Sequence, residues 1–317
     1  MYKTKMFLLI FVLVFIAGCA SPVEQAIPEK VESTQTSLPS SPTPVPPTNT
    51  PSPTDTPEPT LIPGVQVYPV DSFSSGVPWL PLDEDNRPMT VYYGFNTEKA
   101  PFNNTLVRQA FAAAIDREVI ANEAAGFGFQ NVTPATSLTP SDILGRNLYN
   151  EIGIPFNPTR AKELLAEAGY INIEAFPKVK LIVYTRGEAA PGAYYRMAQT
   201  ASNMWQEHLG IEVEIEVVGN IGTYINRLET NLPDMYQLGW GADYADPDNF
   251  LKELFHSDAE RNYGHFSSNQ YDNLVDQAAG IAYPEDRQLF YIEAEKILTQ
   301  DEAGVIPLFH TLYYKQP

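Results

Sequence analysis

A cluster of carboxylate and aromatic side chains follows a short apolar run near residue 240. The run ends at Trp240, and the next eight residues include Asp243, Tyr244, Asp246 and Asp248. Carboxylates beside an indole ring suit a cationic group, because they offer it negative charge and a π-face together. A glycine-containing loop at the end of a strand is also a common place for a ligand in an α/β protein. The segment therefore predicts a ligand-binding site whose candidate contacts are Asp243, Trp240 and Tyr244.

The same segment also fits a purely structural interpretation, in which Trp240 is a buried aromatic and the aspartates serve a turn and a helix start. Asp246 is suited to cap a helix, and Pro247 is suited to its first turn. We assign this structural role to Asp246 and Pro247 and extend it to Asp248, which we expect to take part in helix capping. For Asp243 and Trp240 both interpretations stay open on the residue types alone.

The start of the chain resembles a secretory signal. Lys3 and Lys5 precede an unbroken apolar run over residues 6–17, and Gly18 and Cys19 follow it. The run is short for a membrane span, and small residues precede a possible cleavage point. The sequence before Cys19 is also similar to the bacterial lipobox, in which the cysteine is lipidated. We therefore expect residues 1–19 to be a lipoprotein signal peptide. Cys19 is then expected to anchor an extracytoplasmic protein to the cell membrane, at the cell surface or in the periplasm. The alternatives are a plain signal peptide and a membrane span.

Residues 20–64 are predicted to form a disordered linker rich in proline, serine and threonine. Its core, residues 33–63, holds 10 Pro and 13 Ser or Thr with no aromatic residue and no Lys or Arg. Such a composition buries too little apolar surface to offset the entropy of ordering. Dense proline favours an extended chain of at most ~100 Å at ~3.1 Å per residue. We interpret the segment as a tether; a docking ligand for a partner domain and glycosylation of Ser or Thr are alternatives.

The remaining residues, 65–317, form the predicted folded domain and are strongly acidic. They carry 34 acidic and 17 basic side chains, and Cys19 is the only cysteine of the whole chain. The charge argues against nucleic acid and anionic lipid as partners, since both favour Lys and Arg. It mildly favours cationic ligands through the overall field. Without cysteine, the domain needs no disulfide and has no thiolate metal site.

Apolar periodicity alternates between strand and helix type through this domain, which predicts an α/β fold with a mostly parallel or mixed sheet flanked by helices. In one strand, apolar residues from Ile211 to Val217 alternate with Glu212, Glu214 and Glu216, so one face is expected to be solvated. The predicted strands cover residues 89–96, 179–184, 211–217 and 305–309, and one more begins at Met235. The predicted helices cover residues 105–124, 158–169, 193–208, 222–229, 269–282 and 284–300.

Several local motifs, in order over residues 88–309, resemble the bacterial extracellular solute-binding proteins of family 5, the peptide and nickel receptors of ABC importers. Most of them are packing and capping features, and Arg108, Asp116 and Arg117 are expected to form structural ion pairs. The motifs are Tyr92-Tyr93-Gly94-Phe95-Asn96, Pro101-Phe102-Asn103, Val107-Arg108-Gln109-Ala110, Ala114-Ile115-Asp116-Arg117, residues 161–169, Leu209-Gly210-Ile211, Trp240 with Asp243, Glu293-Ala294-Glu295 and Ile306-Pro307-Leu308.

The resemblance implies a lobe of the type II periplasmic-binding-protein fold and favours a ligand role for Asp243 and Trp240. In the peptide receptors of this family, the Asp that matches Asp243 pairs with the α-amino group of the bound peptide. Full-length members are about twice as long, and the resemblance here covers their carboxy-terminal lobe only. We therefore expect the large first lobe to be absent, which leaves an open half-site. The basic residue that some of these receptors use for the ligand carboxylate is not evident, since Gln237 and Leu238 precede Gly239.

No enzyme motif accompanies this segment. The sequence lacks a Gly-x-Ser-x-Gly elbow, a His-Glu-x-x-His motif and a glycine-rich phosphate loop. Pairs of carboxylates are common in so acidic a chain and are a weak sign of a glycosidase. His256 and His265 are candidates for meeting across a loop, but isolated histidines are more often structural than metal ligands. We expect no catalysis, no cofactor and no metal site.

The prediction is therefore a lipid-anchored, extracytoplasmic substrate-binding component of an ABC importer for peptides or a similar small solute. Its expected partners are the solute, an ABC permease complex and the membrane through the lipid anchor. The alternative is a truncated lipoprotein without a transport role, which uses the lobe for sensing or protein interaction.

Overall fold

A mixed six-stranded sheet forms the centre of the domain. The computed structural model describes residues 87–144, 152–185, 192–281 and 284–313, and all of them lie in the second of the two units of the chain, Leu61–Pro317. The predicted signal peptide with Cys19, the predicted linker and residues 65–86 lie outside the described residues.

The strands run in the order β2-β6-β1-β5-β3-β4 across the sheet. Strands β5, β3 and β4 are parallel, and the pairs β1 with β5, β1 with β6 and β2 with β6 are antiparallel. This is the predicted mixed sheet. The strands are β1 (Arg87–Phe95), β2 (Thr133–Pro134), β3 (Val179–Tyr184), β4 (Val213–Val218), β5 (Met235–Gly241) and β6 (Val305–Tyr313).

Helices cover both faces of the sheet, because successive side chains of its strands point to opposite faces and are apolar on both. On β1, Val91, Tyr93 and Phe95 join a core with α1, α2, α4 and α5, and Tyr92 joins a second core with α6, α7, α8 and α9. The helices are α1 (Thr105–Ala113), α2 (Arg117–Gly126), α3 (Ser141–Leu144), α4 (Pro158–Glu167), α5 (Ala193–Leu209), α6 (Ile221–Thr230), α7 (Lys252–Phe255), α8 (Asn269–Ala279) and α9 (Pro284–Lys296), with a π-helical turn at Ile297–Asp301.

Single residues set one end of each of two helices, within one residue of the bounds that the sequence predicts. Asn157 caps α4, and its side chain accepts a hydrogen bond from the amide of Arg160. Gly210 ends α5 in the left-handed region, with φ of 76°. The Asn157 cap and the Gly210 stop both act within a few residues, because each satisfies main-chain groups at a helix end that have no partner within the helix.

The single helix predicted over residues 105–124 is wrong, because the chain forms two helices there. Helix α1 ends at Ala113 and α2 begins at Arg117. Between them Asp116 adopts an extended conformation, and its carboxylate accepts hydrogen bonds from the amides of Glu118 and Val119. An aspartate in this geometry is a helix cap, so it starts a new helix and does not continue the old one.

The ion pairs predicted for Arg108 and Arg117 are also wrong, because both guanidinium groups bind main-chain carbonyl oxygens. Arg108 donates to the carbonyls of Phe102 at 2.7 Å and Glu302 at 2.6 Å. Arg117 donates to the carbonyl of Pro307 at 2.7 Å. Burial lowers the pKa of each arginine to about 10. The two residues are structural: Arg108 joins the start of α1 to the segment before β6, and Arg117 joins the start of α2 to β6 itself.

Strand β4 lies at an edge of the sheet and follows the predicted alternation only in part. It begins at Val213 and not at Ile211. Val217 is 48% exposed, and Glu216 is partly covered by an ion pair with Arg227 at 3.1 Å. An edge strand has a neighbour on one side only, so its apolar and polar faces are less strictly separated.

Candidate functional site

The candidate site lies at the edge of the sheet where β3, β4 and β5 end, which we call the carboxyl edge. Parallel strands end at the same edge, and ligands of α/β proteins bind where strands run out. Strand β1 is antiparallel to β5 and therefore starts at this edge. The edge thus combines the loop that follows β5 with the first residues of β1. Trp240 itself belongs to β5, one residue before the strand ends.

The pairing of β1 with β5 brings Arg87 to Asp243. Met89 lies opposite Gly241, and the amide of Ala242 donates to the carbonyl of Pro88 at 2.8 Å. Continuing the register two residues beyond Met89 and Gly241 places Arg87 opposite Asp243, and Arg87 Nη1 donates to Asp243 Oδ1 at 2.9 Å. The Asp243 side chain remains 57% exposed. The Asp243 carboxylate, which is a candidate ligand contact, is therefore accessible to solvent and already forms an ion pair with Arg87.

Asn249 fixes the positions of Trp240 and Asp243 relative to each other. Its Oδ1 accepts one hydrogen bond from Trp240 Nε1 and one from the main-chain amide of Asp243, both at 3.0 Å. The asparagine is almost fully buried. One buried acceptor thus orients the indole ring and the start of the loop that carries the carboxylate.

A second arginine, Arg261, lies over the indole ring of Trp240. The guanidinium carbon of Arg261 lies 5.0 Å from the centroid of the Trp240 ring, within the range of a cation–π contact. Arg261 Nη1 lies 3.7 Å from Glu253 Oε2. The Asp243 carboxylate and the Trp240 ring are the two groups predicted to contact a cationic ligand. Each of them contacts an arginine of this chain.

Tyr244 follows Asp243 and is 41% exposed. Partial burial and the nearby Asp248 carboxylate raise the pKa of Tyr244 to about 12, so its hydroxyl is a hydrogen-bond donor at neutral pH. Its partners are Asn249 and Asp248. Partial burial also raises the pKa of Asp248. Tyr244 therefore combines an exposed ring with a hydroxyl directed towards the interior of the loop.

The structural interpretation of Asp246 and Pro247 agrees with the geometry. Asp246 Oδ1 accepts a hydrogen bond from the amide of Asp248 at 3.1 Å and caps a short 3₁₀ helix, Pro247–Asn249. Asp246 is buried and forms an ion pair with Arg287. The capping role predicted for Asp248 is wrong, because its carboxylate hydrogen-bonds Tyr244 and the cap is Asp246.

Three residues of the site were missed by sequence reasoning: Arg87, Asn249 and Arg261. Asn249 directly follows the Asp-Pro-Asp turn. Its closeness to Trp240 along the sequence was the one signal that could have indicated its role in the site. Arg87 and Arg261 lie 156 and 21 positions from the residues that they contact. Nothing in their local sequence indicates those contacts.

A separate hollow of about 360 Å³ lies near the opposite edge of the sheet, where β1 ends and β5 begins. Glu98, Glu229, Glu260 and His265 are among its lining residues. His256 is not among them, and its Nε2 lies 3.5 Å from an oxygen of Asp276. Within the described part of the chain, no three His, Cys, Asp or Glu side chains are placed to hold a metal ion. In the same ranges, no helix is long and apolar enough to cross a membrane.

Comparison with known proteins shows that the chain matches a known family. The model of the bacterial extracellular solute-binding proteins, family 5 Middle, matches residues 48–262. The chain is 33% identical over 228 residues to the probable deoxycholate-binding periplasmic protein YgiS of Escherichia coli, covering 71% of this chain and 40% of YgiS. It is 30% identical over 225 residues to the periplasmic oligopeptide-binding protein OppA of Salmonella typhimurium, covering 70% of this chain and 39% of OppA.

A solved structure shows the same fold. The periplasmic binding protein DppA of Helicobacter pylori, in complex with the peptide STSA, superposes with a TM-score of 0.61 at 28% sequence identity. The match covers 72% of this chain and 43% of DppA. The predicted periplasmic-binding-protein-like fold is confirmed, and the chain spans about 40% of the length of the curated relatives it matches. The chain belongs to the bacterial extracellular solute-binding proteins of family 5.

Proposed function

We propose that this chain is the extracytoplasmic substrate-binding component of an ABC importer and that its solute is a peptide or a similar small molecule with a cationic group. The observation that carries the proposal is the pair of Trp240 and Asp243, held together by Asn249 at the carboxyl edge. An exposed carboxylate beside an oriented indole ring is complementary to an ammonium group.

The names of the relatives support a small solute and favour a peptide. OppA is named for oligopeptides and YgiS for deoxycholate, and the solved structure of DppA is a complex with the peptide STSA. Deoxycholate has no cationic group, so the peptide relatives fit the Asp243 carboxylate better. The proposed activity is binding and delivery to a permease, without catalysis.

We further propose that Cys19 is lipidated and that residues 20–64 act as the tether between the membrane and the domain. The apolar run before Cys19 and the proline-rich composition after it support this arrangement. A tether of this kind keeps the domain near a permease while leaving it free to rotate.

Calorimetry of the purified full chain against a mixed pool of di- to pentapeptides tests the function. We expect heat of binding, and we expect Asp243→Asn to weaken the affinity about tenfold to a hundredfold, the equivalent of roughly 1.5–3 kcal/mol for a charge-assisted hydrogen bond. Asp258→Asn is the control, because Asp258 is an exposed carboxylate on a different loop. Equal losses in the two variants would contradict a ligand role for Asp243. Absence of peptide binding by the unaltered chain would contradict the peptide assignment and favour a sensing or interaction role.

A further inference from the structure

Two buried polar atoms between the loop after β5 and α9 lack a hydrogen-bond partner among the described residues: Asp248 Oδ1 and Tyr291 Oη. Tyr291 lies on α9 and is fully buried. Burial, and next the negative charge of Asp248, raise the pKa of Tyr291. Its hydroxyl is therefore protonated at neutral pH and is a donor, whereas the carboxylate oxygen is an acceptor. The two unpaired atoms are complementary, and leaving either of them unpaired is unfavourable.

The loop and α9 are already joined beside these two atoms. Arg287 lies one turn before Tyr291 on α9, and its guanidinium carbon is 5.8 Å from the centroid of the Tyr291 ring. The same arginine forms an ion pair with Asp246. The Asp246 carboxylate in turn accepts a hydrogen bond from the amide of Asp248 at 3.1 Å. Asp248 and Tyr291 therefore belong to one contact region between the loop and the helix.

Asp248 is at present hydrogen-bonded by Tyr244, which is the exposed aromatic residue of the loop. Tyr244 directly follows Asp243, to which we assign the ammonium group of the solute. A solute at Asp243 therefore lies next to Tyr244 and competes with Asp248 for the Tyr244 hydroxyl. If that hydroxyl turns to the solute, Asp248 loses a donor, and Tyr291 is an unpaired donor in the same contact region.

We propose that Tyr291 is a positioning residue for solute binding, which donates to Asp248 in the solute-bound state and thereby releases the Tyr244 hydroxyl to the solute. This inference rests on the proposed function and adds a residue and a rearrangement to it. The exchange replaces one hydrogen bond, from Tyr244 to Asp248, with two, from Tyr291 to Asp248 and from Tyr244 to the solute. The solute group that Tyr244 meets is a hydrogen-bond acceptor, such as a main-chain carbonyl of a peptide.

A double-mutant cycle on the full chain tests the exchange, because it isolates the interaction between two side chains. The variants are Tyr291→Phe, Asp248→Ala and the double variant, and calorimetry measures the affinity of each for trialanine. We expect Tyr291→Phe to weaken binding about fivefold to tenfold in the presence of Asp248, since it removes a hydrogen bond to a charged group. In the Asp248→Ala background the same substitution should have no effect on affinity.

Urea unfolding without solute provides the second measurement, which a merely structural tyrosine would move. Tyr291→Phe removes a donor that has no partner in the free protein, so the urea midpoint should stay unchanged or rise. The matched control is Tyr271→Phe. Tyr271 is equally buried, and its hydroxyl donates to the carbonyl of Leu251 at 2.8 Å. We expect the control substitution to lower the midpoint, because it leaves a buried acceptor unpaired.

Three outcomes would overturn the inference while leaving the proposed function intact. The first is an unchanged affinity in Tyr291→Phe. The second is an equal loss of affinity with and without the Asp248 carboxylate, which would mean that Tyr291 acts only through packing. The third is coupling between the two residues in the unfolding of the solute-free chain, which would mean that they are already bonded, directly or through water. Failure of the unaltered chain to bind trialanine or any peptide of the di- to pentapeptide pool would reject the peptide-binding function and this inference with it.

Discussion

Arg87 and Asp243, which are 156 residues apart in the sequence, form an ion pair of 2.9 Å between the first residue of β1 and the loop after β5. The pair follows from the antiparallel register of the two strands, because continuing that register two residues beyond the last paired positions, Met89 and Gly241, places Arg87 opposite Asp243. The guanidinium occupies one oxygen of a carboxylate that we assign to the cationic group of the solute. A solute ammonium must therefore share Asp243 with Arg87 or replace it.

This competition predicts the effect of Arg87→Gln. Removal of the guanidinium should raise the affinity for dialanine amide, a solute with an ammonium group and no carboxylate, by up to about fivefold, because exposed ion pairs are worth at most about 1 kcal/mol. Calorimetry measures the change, and Arg160→Gln serves as the control, because Arg160 is an exposed arginine that pairs with Glu163 and Glu167 within α4. A lower affinity in Arg87→Gln would show that Arg87 positions Asp243 and does not compete for it.

Asn249→Ala should damage both the stability of the domain and the site. The substitution removes the acceptor for Trp240 Nε1 and the Asp243 amide, and loss of a buried partner costs roughly 1–3 kcal/mol of the free energy of unfolding. Urea unfolding followed by tryptophan fluorescence measures this loss, and peptide calorimetry measures the loss of affinity. The control is Asn226→Ala on the exposed side of α6, for which we expect neither effect. An unchanged affinity in a folded Asn249→Ala protein would contradict the positioning role.

Glu295 should make the stability of the domain depend on pH. Its carboxyl group is fully buried on α9 and accepts hydrogen bonds from the amide of Leu138 and from the amide and hydroxyl of Thr139. Burial raises its pKa from 4.5 to about 7. The folded state therefore holds a proton that the unfolded state releases between these two values. This contribution to the free energy of unfolding is fully present below pH 4.5 and is lost as the pH rises to about 7.

Glu295→Gln isolates this effect. The free energy of unfolding of the unaltered protein, relative to that of the variant, should fall by up to roughly 3 kcal/mol between pH 4.5 and 7. The comparison is needed because burial lowers the pKa of His310 to about 4, so its contribution has the opposite sign and is lost as the pH falls. Urea titrations at a series of pH values provide the measurement, with Glu293→Gln on the same helix as the charge-matched control. A difference that does not vary with pH would rule out titration of Glu295 in this range.

Cys19→Ala tests the proposed anchor. If Cys19 is the lipidated residue, the variant should move from the membrane fraction to the soluble or secreted fraction, since Cys19 is the only cysteine of the chain. Ser21→Ala, two residues further on, is the matched control and should leave the fractionation unchanged. A Cys19→Ala protein that remains in the membrane fraction to the same extent as the unaltered protein would reject lipidation at this position.

The sequence predicted those elements whose signals act over a few residues. Helix α4 starts after Asn157 and α5 ends before Gly210, within one residue of the predicted bounds, because caps and stops satisfy neighbouring main-chain groups. The turn formed by Asp246 and Pro247 was predicted for the same reason. The break between α1 and α2 was missed although Asp116 carries the signal, because the apolar spacing on both sides fits one continuous helix.

The contacts that define the candidate site were decided by the tertiary structure. Asp243 and Trp240 were recognisable as candidates from their residue types and from the resemblance to the family. The arrival of Arg87 at Asp243 depends on the pairing of β1 with β5, and the arrival of Arg261 at Trp240 depends on the path of the chain after α7. Local sequence does not encode such contacts, because they form only when strands and loops distant along the chain pack together. The sequence by itself therefore determined which groups are offered to a cation, and only the fold determined which of the chain's own cations lie beside them.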